Sequence, residues 1–282
     1  MHRILVAVLA LALPALAAAQ STALDKIRSS KTVTMAYRTN ALPFSFKDPN
    51  GQPAGYTVEL CKRVAASMGA HLKIPDLKVR WVEASSQNRF ELVETRKVDM
   101  ECGASTATLK RMERVDFSSY VFVDSTGVLV SMASGVRSVP ELAGKRIAVI
   151  AGSTNVEAVA RAQRLGGFKA QVVEFASREL ALEALEGGKV DAFASDKILL
   201  EGIAVKLKDT KKYGLLPDDL SIEPYAIMLP RGDSALRLEV NRALSRVFGS
   251  REIQKIFEQT FGTDIEPTPL LLALYTIGQI PD

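Results

Sequence analysis

Hydroxyl side chains and arginines are concentrated in one segment of the first half of the chain, which reads SSQNRFELVETRKVDMECGASTATLKR from Ser85 to Arg111. Hydroxyl groups are neutral hydrogen-bond donors, and guanidinium groups are charged ones. A set of both can stabilise the reacting anion of an enzyme or hold a small anionic ligand. Catalysis also needs a nucleophile, an acid or a base close by, so the neighbours of the segment decide between the two alternatives.

The chain offers little that would serve catalysis. After its first twenty residues it has one histidine, His71, which we predict to lie at the surface. Without it no Ser-His-Asp triad forms. No group of His, Cys, Asp and Glu has the spacing of metal ligands, so we expect neither a metal nor another cofactor. Glu101 is the one candidate for an acid or a base, and it reads equally well as a strand residue in polar surroundings.

Three arginines, Arg38, Arg89 and Arg111, each lie beside a predicted strand end or helix start. A guanidinium holds a carboxylate through two parallel hydrogen bonds, which a lysine cannot do. A single arginine is usually a solvated surface residue, but three beside polar strand ends indicate a ligand with two negative charges. Asp196 supplies the opposite charge, which suits an ammonium group. An α-amino acid with an acidic side chain has this combination of charges.

The segment AGSTN, from Ala151 to Asn155, opens a predicted helix. Gly152 permits a close approach of the backbone, and the free amides and the dipole of the first turn favour a carboxylate or a phosphate. The alternative is that Ser153 or Thr154 only caps the helix and binds nothing. The chain has neither GxxxxGK followed by Ser or Thr nor GxGxxG, so a nucleotide is not expected.

The elements that would position these residues alternate between strand and helix, which predicts an α/β fold with parallel strands. In the first unit the strands are predicted at 32–37, 77–84 and 98–103 and the helices at 56–69 and 89–97. In the second unit the strands are predicted at 145–152, 170–177 and 190–196 and the helices at 153–167, 178–188 and 197–207. Two extended crossings, near 121–132 and 222–232, join the units into two lobes with a cleft between them. Polar residues follow the strands of both units, and ligands of open α/β sheets bind at such strand ends.

Both ends of the chain carry apolar segments. Residues 1–19 combine Arg3, an uncharged apolar run and an Ala-x-Ala ending, which predict a cleaved secretory signal peptide and export to the periplasm. A membrane anchor is the alternative, but the run is short and contains Pro14. At the other end a helical pair is predicted at 234–262, and the apolar residues 267–282 are expected to dock on a lobe. Residues 49–55 read as a turn.

Charge and cysteine content limit the partners. The formal net charge is +4 and the isoelectric point is about 9.0, but Lys and Arg are scattered, so a nucleic-acid partner is not expected. Cys61 lies in a helical pattern and Cys102 at a strand end, and neither has a histidine or a second cysteine near it to bind a metal. In an oxidising compartment they form either a disulfide or two buried thiols.

The residues resemble a known family. The run GASTATLKRMERVDFSSYVFV is similar to a segment of the extracellular amino-acid-binding proteins of ABC importers, and LPFSFKDPNGQPAGYTVELCKRVA is similar to their first turn and helix. More narrowly, SSQNRFELVETRKVDMECGAST and SDKILLEGI resemble the glutamate/aspartate-binding members. The resemblance implies a type II periplasmic-binding-protein fold with two hinge crossings. The expected boundaries are 20–123 for the first part of lobe 1, 124–223 for lobe 2, 224–264 for the return helices of lobe 1 and 265–282 for the tail.

The resemblance also implies roles for individual residues. Thr106 and Arg111, with Thr154 across the cleft, would hold the α-carboxylate of the ligand, and Asp196 would hold its ammonium group. The expected ligand-binding set is Arg38, Ser86, Arg89, Ala104, Ser105, Thr106, Arg111, Thr154, Arg178 and Asp196.

Arg38, Ser86 and Arg89 would receive the side-chain carboxylate, as in the acidic binders.

Two other residues depart from the acidic binders. Ala104 stands where those proteins tend to have serine, so a contact there must come from the backbone. Arg178 stands where they have a histidine that reaches the side-chain carboxylate, which leaves glutamate and aspartate both open.

The expected partners are therefore one amino acid and the membrane permease of an ABC importer, with the binding protein a monomer and not an enzyme. A periplasmic enzyme on the same fold, similar to cyclohexadienyl dehydratase, is a rival that would need an acid in the cleft, and Glu101 is its candidate. A signalling receptor or a lytic enzyme is a second rival, which would need a further domain.

Overall fold

The computed structural model describes residues 22–281, and the predicted signal peptide at residues 1–19 lies outside them. The helices are α1 (Ala23–Ser30), α2 (Tyr56–His71), α3 (Arg89–Glu94), α4 (Leu109–Met112), α5 (Asn155–Gly166), α6 (Arg178–Glu186), α7 (Lys197–Ala204), α8 (Ser234–Phe248), α9 (Glu252–Phe261) and α10 (Pro269–Ile277). The strands are β1 (Thr32–Arg38), β2 (Asn40–Ala41), β3 (Ser45–Lys47), β4 (Pro53–Ala54), β5 (Lys78–Ala84), β6 (Met100–Glu101), β7 (Val115–Ser131), β8 (Arg146–Ile150), β9 (Gln171–Phe175), β10 (Ala192–Asp196), β11 (Tyr213–Leu215) and β12 (Ile222–Pro230). No helix within residues 22–281 is long and apolar enough to cross a bilayer.

Two parallel strand groups are joined by two long antiparallel strands. The order in the main sheet is β5-β1-β6-β12-β7-β10-β8-β9, with β11 paired to β7. β1 runs parallel to β5 and β6, and β8 runs parallel to β9 and β10, as the alternating pattern predicts. β7 and β12 pair with each other between the two groups. They are the predicted extended crossings, whereas the exact lobe boundaries at 123/124 and 223/224 stay a prediction.

The second lobe has an apolar core on each face of its sheet, and strand β8 explains why. Its side chains alternate between the faces, so Ile147 and Val149 pack into one core while Ala148 and Ile150 pack into the other. A strand that is buried on both faces reads as a continuous apolar run. α5 covers one face, and α6 and α7 cover the other. Each of these helices follows a strand in the chain, so the helix starts lie at the carboxyl ends of the strands, where the polar residues lie.

The turn predicted at 49–55 is present between β3 and β4, where the Asp48 carboxylate accepts from the amides of Asn50 and Gln52. Two local features differ from the prediction. The end of the turn range contains β4, in a small sheet of the order β2-β3-β4. The helix predicted at 89–97 ends at Glu94, and Arg96 just beyond it has a positive φ of 54°. Strands β2, β3 and β4 are too short for their alternation to be recognised by pattern.

The C-terminal segment docks on lobe 1, as predicted, but it does so as a helix that was not predicted. Leu271 and Tyr275 of α10 are buried. The Tyr275 hydroxyl forms a hydrogen bond of 2.7 Å with the Tyr56 hydroxyl, and the Tyr275 ring stacks on Phe248. The helix begins with Thr268 as its N-cap and Pro269 at its first position, which is a usual way to start a helix.

Cys61 and Cys102 form a disulfide, the first of the two alternatives that the sequence leaves open. The bond ties α2 to the residue after β6, and both cysteines are buried in the core of lobe 1. The position matters because Cys102 stands two residues before Ala104, in the segment that carries the polar residues of the site.

Reduction of this disulfide is expected to lower the free energy of unfolding by about 3–4 kcal/mol. The bond spans 41 residues, and closing a loop of that length restricts the unfolded chain strongly. Urea unfolding with and without a reductant measures the difference. The double variant Cys61→Ala/Cys102→Ala is the control and should not respond to the reductant. Equal stability of the unaltered protein in both conditions would contradict the prediction.

Candidate ligand-binding site

Three arginines meet at the carboxyl ends of the strands, and we call them the arginine cluster: Arg38, Arg89 and Arg178. Arg38 ends β1, Arg89 begins α3 and Arg178 begins α6, and their exposed fractions are 2%, 4% and 6%. Arg38 Nη2 donates to Ser86 Oγ at 2.8 Å and to Asn40 Oδ1 at 3.3 Å. The Nε of all three arginines, and Nη1 of Arg178, have no hydrogen-bond partner within residues 22–281.

The arginine cluster is strongly positive. Burial, and then the charges of Arg89 and Arg178, hold the pKa of Arg38 well below its usual range. Burial, and then Arg111, lower the pKa of Arg89 to about 10, so this guanidinium is still charged at neutral pH. Glu101 lies among these charges; its Oε2 accepts from Ser105 Oγ at 2.8 Å, while its Oε1 has no partner in the described part of the chain. An anion placed here would relieve the repulsion among the guanidiniums.

A second polar group surrounds the buried carboxylate of Glu223 on β12. Thr106 Oγ1 from lobe 1 and Thr154 Oγ1 from lobe 2 each donate to Glu223 Oε2 at 2.6 Å. Thr126 donates to the other carboxylate oxygen at 3.0 Å, and Ser221 also donates to it. Glu223 thus lies on a crossing strand and contacts both lobes. Its partners Thr106 and Thr154 are the residues that the family resemblance predicts at the α-carboxylate of the ligand.

The capping interpretation of the AGSTN segment is wrong. Thr154 is the N-cap residue of α5, but its side chain makes no capping hydrogen bond; its hydroxyl donates to Glu223. The Ser153 hydroxyl donates back to the carbonyl of Ile150 at 2.7 Å. Gly152 has a φ of 75°, and a Cβ there would lie 3.4 Å from the carbonyl oxygen of Ser86. That distance is an ordinary contact, so it is the positive φ that favours glycine at this position.

Arg111 joins the two lobes through its guanidinium. Its Nη1 donates to the carbonyl of Thr106 at 2.8 Å, and its Nη2 donates to the carbonyl of Gly152 at 3.1 Å. The guanidinium carbon lies 5.2 Å from the centre of the Phe90 ring, a cation–π distance. Burial lowers the pKa of Arg111, while the carboxylate of Glu223 opposes that shift. The group is thus a fixed positive charge beside the two threonines.

Asp196 ends β10 and is almost fully buried. Its Oδ1 accepts from Asn155 Nδ2 at 2.6 Å, and its Oδ2 accepts from the Tyr225 hydroxyl. The same hydroxyl lies 3.3 Å from Asp124 Oδ2. Burial, and then the charge of Asp196, raise the pKa of Asp124 to about 8. The pair therefore holds one firm negative charge at neutral pH, which an ammonium group would complement.

The remaining predicted residues lie around these groups. Ser86 is buried and accepts from Arg38, as stated above. The Ala104 side chain packs into the core of lobe 1, so it offers no polar group. Ser105 is fully buried and donates to Glu101.

His71 lies at the end of α2, is 46% exposed and has Glu239 at 3.4 Å, consistent with the predicted surface position.

Four residues of this region were missed by sequence reasoning: Asp124, Asn155, Glu223 and Tyr225. For three of them, Asp124, Glu223 and Tyr225, the available signal is a charged or hydrogen-bonding residue inside an otherwise apolar, extended segment, whereas Asn155 opens α5. Glu223 and Tyr225 are both in IEPYAIMLP, and Asp124 interrupts YVFVDSTGVLV. Such residues are buried only where partners from other elements satisfy them, and those partners are not visible in a local pattern.

The raised pKa of Asp124 predicts a pH-dependent stability. The folded pKa of about 8 lies far above the value of 3.8 for a free carboxyl, so the folded protein retains a proton that the unfolded chain has lost. Stability from this group is therefore present at low pH and is lost as the pH rises from about 4 through about 8. The unfolding free energy of Asp124→Asn, taken relative to that of the unaltered protein, should be at least about 2 kcal/mol higher at pH 8.5 than at pH 5.

Urea unfolding of both proteins at the two pH values measures this gain. Asp264→Asn, at an exposed position, is the matched control and should follow the unaltered protein. Parallel curves for Asp124→Asn and the unaltered protein would mean that Asp124 is ionised in the folded state.

Contacts across the cleft bring the two lobes together. Gln87 Nε2 donates to the carbonyl of Ala176 at 2.9 Å, and Lys110 Nζ lies 3.2 Å from Glu157 Oε1. A cavity of about 290 Å³ opens at this rim. Its lining residues are Ser86, Gln87, Phe90, Thr108, Lys110, Arg111, Arg114, Gly152, Ser153, Thr154 and Glu157. Ser86, Arg111 and Thr154 are the residues of the predicted ligand-binding set in this lining, so the cavity marks the rim of the cleft and not the whole candidate site.

A larger cavity does not belong to the site. It measures about 670 Å³ and lies against α6, with Glu183, Lys208 and Tyr213 in its lining. None of the ten residues predicted to bind the ligand lines it, so its size does not make it the better candidate. Within residues 22–281 there is no group of three or more His, Cys, Asp and Glu side chains that could hold a metal.

Residues 33–263 match the bacterial extracellular solute-binding proteins, family 3. The chain belongs to this family. It is 30% identical to the L-glutamate/L-aspartate-binding protein of Pseudomonas aeruginosa over 93% of this chain and 87% of that protein. It is 29% identical to the glutamate/aspartate import solute-binding protein of Salmonella typhimurium over 90% of this chain and 84% of that protein. Relatives of this solute-binding protein thus include amino-acid-binding proteins of importers.

A solved structure agrees with the fold. An ancestral amino-acid-binding protein, described as a precursor of cyclohexadienyl dehydratase, superposes with a TM-score of 0.73 at 25% identity. The match covers 86% of this chain and all of that one. The architecture is the two-lobed type II periplasmic-binding-protein fold, as the sequence pattern and the family resemblance predict.

Proposed function

We propose that this solute-binding protein captures an α-amino acid with an acidic side chain, glutamate or aspartate, and delivers it to the membrane permease of an ABC importer. The observation that carries the proposal is the arginine cluster. Arg38, Arg89 and Arg178 are buried together, and four of their nitrogens have no hydrogen-bond partner within residues 22–281. Glu101 is the buried carboxylate that acts on both Arg38 and Arg89, and Asp196 also acts on Arg89. Buried donors and charges without partners are costly, and a ligand carboxylate would satisfy them.

The other charges orient the ligand. Asp196 is the partner of the ammonium group, because it is buried and accepts hydrogen bonds from Asn155 and Tyr225, while Asp124 beside it keeps its proton at neutral pH. Arg111 is the charge partner of the α-carboxylate, with the hydroxyls of Thr106 and Thr154 next to it. Those hydroxyls donate to Glu223, so the ligand carboxylate shares or replaces this acceptor. Ser105 and Ala104 contribute through their backbone.

Capture works by closure of the two lobes about β7 and β12. The ligand touches groups from both lobes, so it binds the closed form more tightly and shifts the population toward that form. Export through the signal peptide at residues 1–19 brings the protein to the periplasm in this proposal. There it acts as a monomer. The relatives named above carry glutamate/aspartate binding in their names, which supports the same substrate class here.

We assign no reaction to the site. Glu101 is the candidate acid of the rival enzyme, but its hydrogen bond from Ser105 and its place among guanidiniums suit the role of a fixed counter-charge. Catalysis would also need a second group to take or give a proton at the substrate. The hydroxyls that lie beside carboxylates here, such as Ser105 beside Glu101, are buried and act in this proposal as hydrogen-bond donors.

A thermal-melting screen tests the proposal. The purified protein is stripped of ligand by partial unfolding and refolding, and then melted with Glu, Asp, Gln, Asn and Arg. A ligand present at about one hundred times its dissociation constant adds about 2.7 kcal/mol to stability, which is a shift of several degrees. We expect such a shift from Glu or Asp alone. A shift from Arg or Gln but not from Glu or Asp would refute the acidic assignment, and no shift from any of the five would favour the enzyme.

A further inference from the structure

The arginine cluster holds more positive charge than one side-chain carboxylate would balance. Glu101 is the buried carboxylate that acts on both Arg38 and Arg89, and one carboxylate set against three guanidiniums leaves a surplus of two positive charges. Glu179, the other carboxylate that acts on Arg38, is already bound by Lys206 Nζ at 3.3 Å and by Asn40 Nδ2 at 3.1 Å. Asp196 acts on Arg89 but is the partner of the ammonium group in the proposed function.

The cluster also offers more hydrogen-bond donors than a carboxylate uses well. Four buried nitrogens have no partner within the described chain: Nε of Arg38, Nε of Arg89, and both Nε and Nη1 of Arg178. A carboxylate has two oxygens in one plane, whereas a sulfonate or phosphate has three oxygens that point in three directions. The donors come from β1, α3 and α6, so both lobes contribute to the cluster.

We infer, given the proposed function, that the site also takes α-amino acids whose side chain ends in a tetrahedral oxyanion, and that Arg178 determines this specificity. L-homocysteate and O-phospho-L-serine carry their sulfur or phosphorus at the position of the terminal carbon in glutamate. A phosphate monoester loses its second proton near pH 6, so at pH 7.5 it brings close to two negative charges, which equals the surplus. Arg178 supplies two of the four unpaired nitrogens and is the only member of the cluster from lobe 2.

Calorimetric titration at pH 7.5 with L-glutamate, L-homocysteate and O-phospho-L-serine tests this inference. The unaltered protein should bind both oxyanions with dissociation constants no more than tenfold above that of glutamate. Arg178→Gln should then weaken O-phospho-L-serine at least tenfold more than it weakens glutamate. Arg164→Gln, at an exposed position of α5, is the matched control and should leave all three dissociation constants unchanged.

The outcomes separate this inference from the proposed function. Tight glutamate binding with both oxyanions more than tenfold weaker overturns the inference and leaves the proposed function intact. Equal weakening of all three ligands in Arg178→Gln overturns the specificity role of Arg178. If none of the three ligands binds, the proposed function falls and the inference falls with it. The comparison on the unaltered protein needs no variant, so it stands even if Arg178→Gln does not fold.

Discussion

Asp196→Asn is expected to weaken glutamate binding by about 3–5 kcal/mol, since the ammonium group loses its charge partner in a buried site. The variant should nevertheless fold. An amide still accepts a hydrogen bond from Tyr225, and removal of the charge relieves the repulsion that, after burial, raises the pKa of Asp124. Calorimetry gives the affinity and urea unfolding gives the stability, so loss of binding is measured separately from loss of fold.

Glutarate, which is glutamate without its ammonium group, sharpens this test. The unaltered protein should strongly prefer glutamate, whereas Asp196→Asn should bind the two ligands with similar, weak affinity. Asp191→Asn is a matched control, because Asp191 lies just before the same strand and pairs with Arg146. A variant Asp196→Asn that retained the preference for glutamate would place the ammonium group elsewhere.

Arg89→Met is expected to weaken glutamate binding by ~2–4 kcal/mol, because it leaves the side-chain carboxylate without one of its buried partners. The loss should be specific to acidic ligands. Any binding of glutamine, whose side chain is neutral, should not fall by the same factor. Calorimetric titration of the variant with both ligands measures the two effects.

The chain offers a matched control for this variant on the same aromatic ring. The guanidinium carbons of Arg89 and Arg114 lie 5.2 Å and 5.3 Å from the centre of the Phe90 ring. Arg114, however, is more than half exposed and pairs with Glu94. Arg114→Met should therefore leave glutamate affinity unchanged. Equal effects of the two substitutions would mean that Arg89 acts through packing on Phe90 rather than through its charge.

The fold could be predicted from the sequence where the signal is local. Strands such as β8 and helices such as α2 carry enough periodicity to be recognised, and their alternation sets the parallel sheet. The arginine cluster could be anticipated for a related reason, because the carboxyl ends of parallel strands meet at one edge. Arg38 and Arg89 were placed there by position alone, and Arg178 by its place in a resemblance.

The part that could not be predicted depends on long-range pairing. The hydroxyl of Thr106 was predicted to face a ligand, yet it donates to Glu223, which is 117 residues away in the chain. Nothing in either segment specifies that partner. The same holds for Tyr225, whose burial beside Asp196 depends on how β12 passes between the lobes. The helix α10 was missed because an apolar run with prolines at both ends is ambiguous until its docking surface is known.

The central claim is that buried guanidiniums select an acidic side chain, and a comparison of L-glutamate with L-glutamine tests it most directly. In glutamine an uncharged NH2 group replaces one oxygen of the side-chain carboxylate of glutamate, and all other groups are the same. Calorimetric titration of the unaltered, ligand-free protein should give a dissociation constant of about 10⁻⁶ M or lower for glutamate, and about a hundredfold weaker binding of glutamine. Equal or tighter binding of glutamine would contradict the account, because the arginine cluster would then face something other than the ligand.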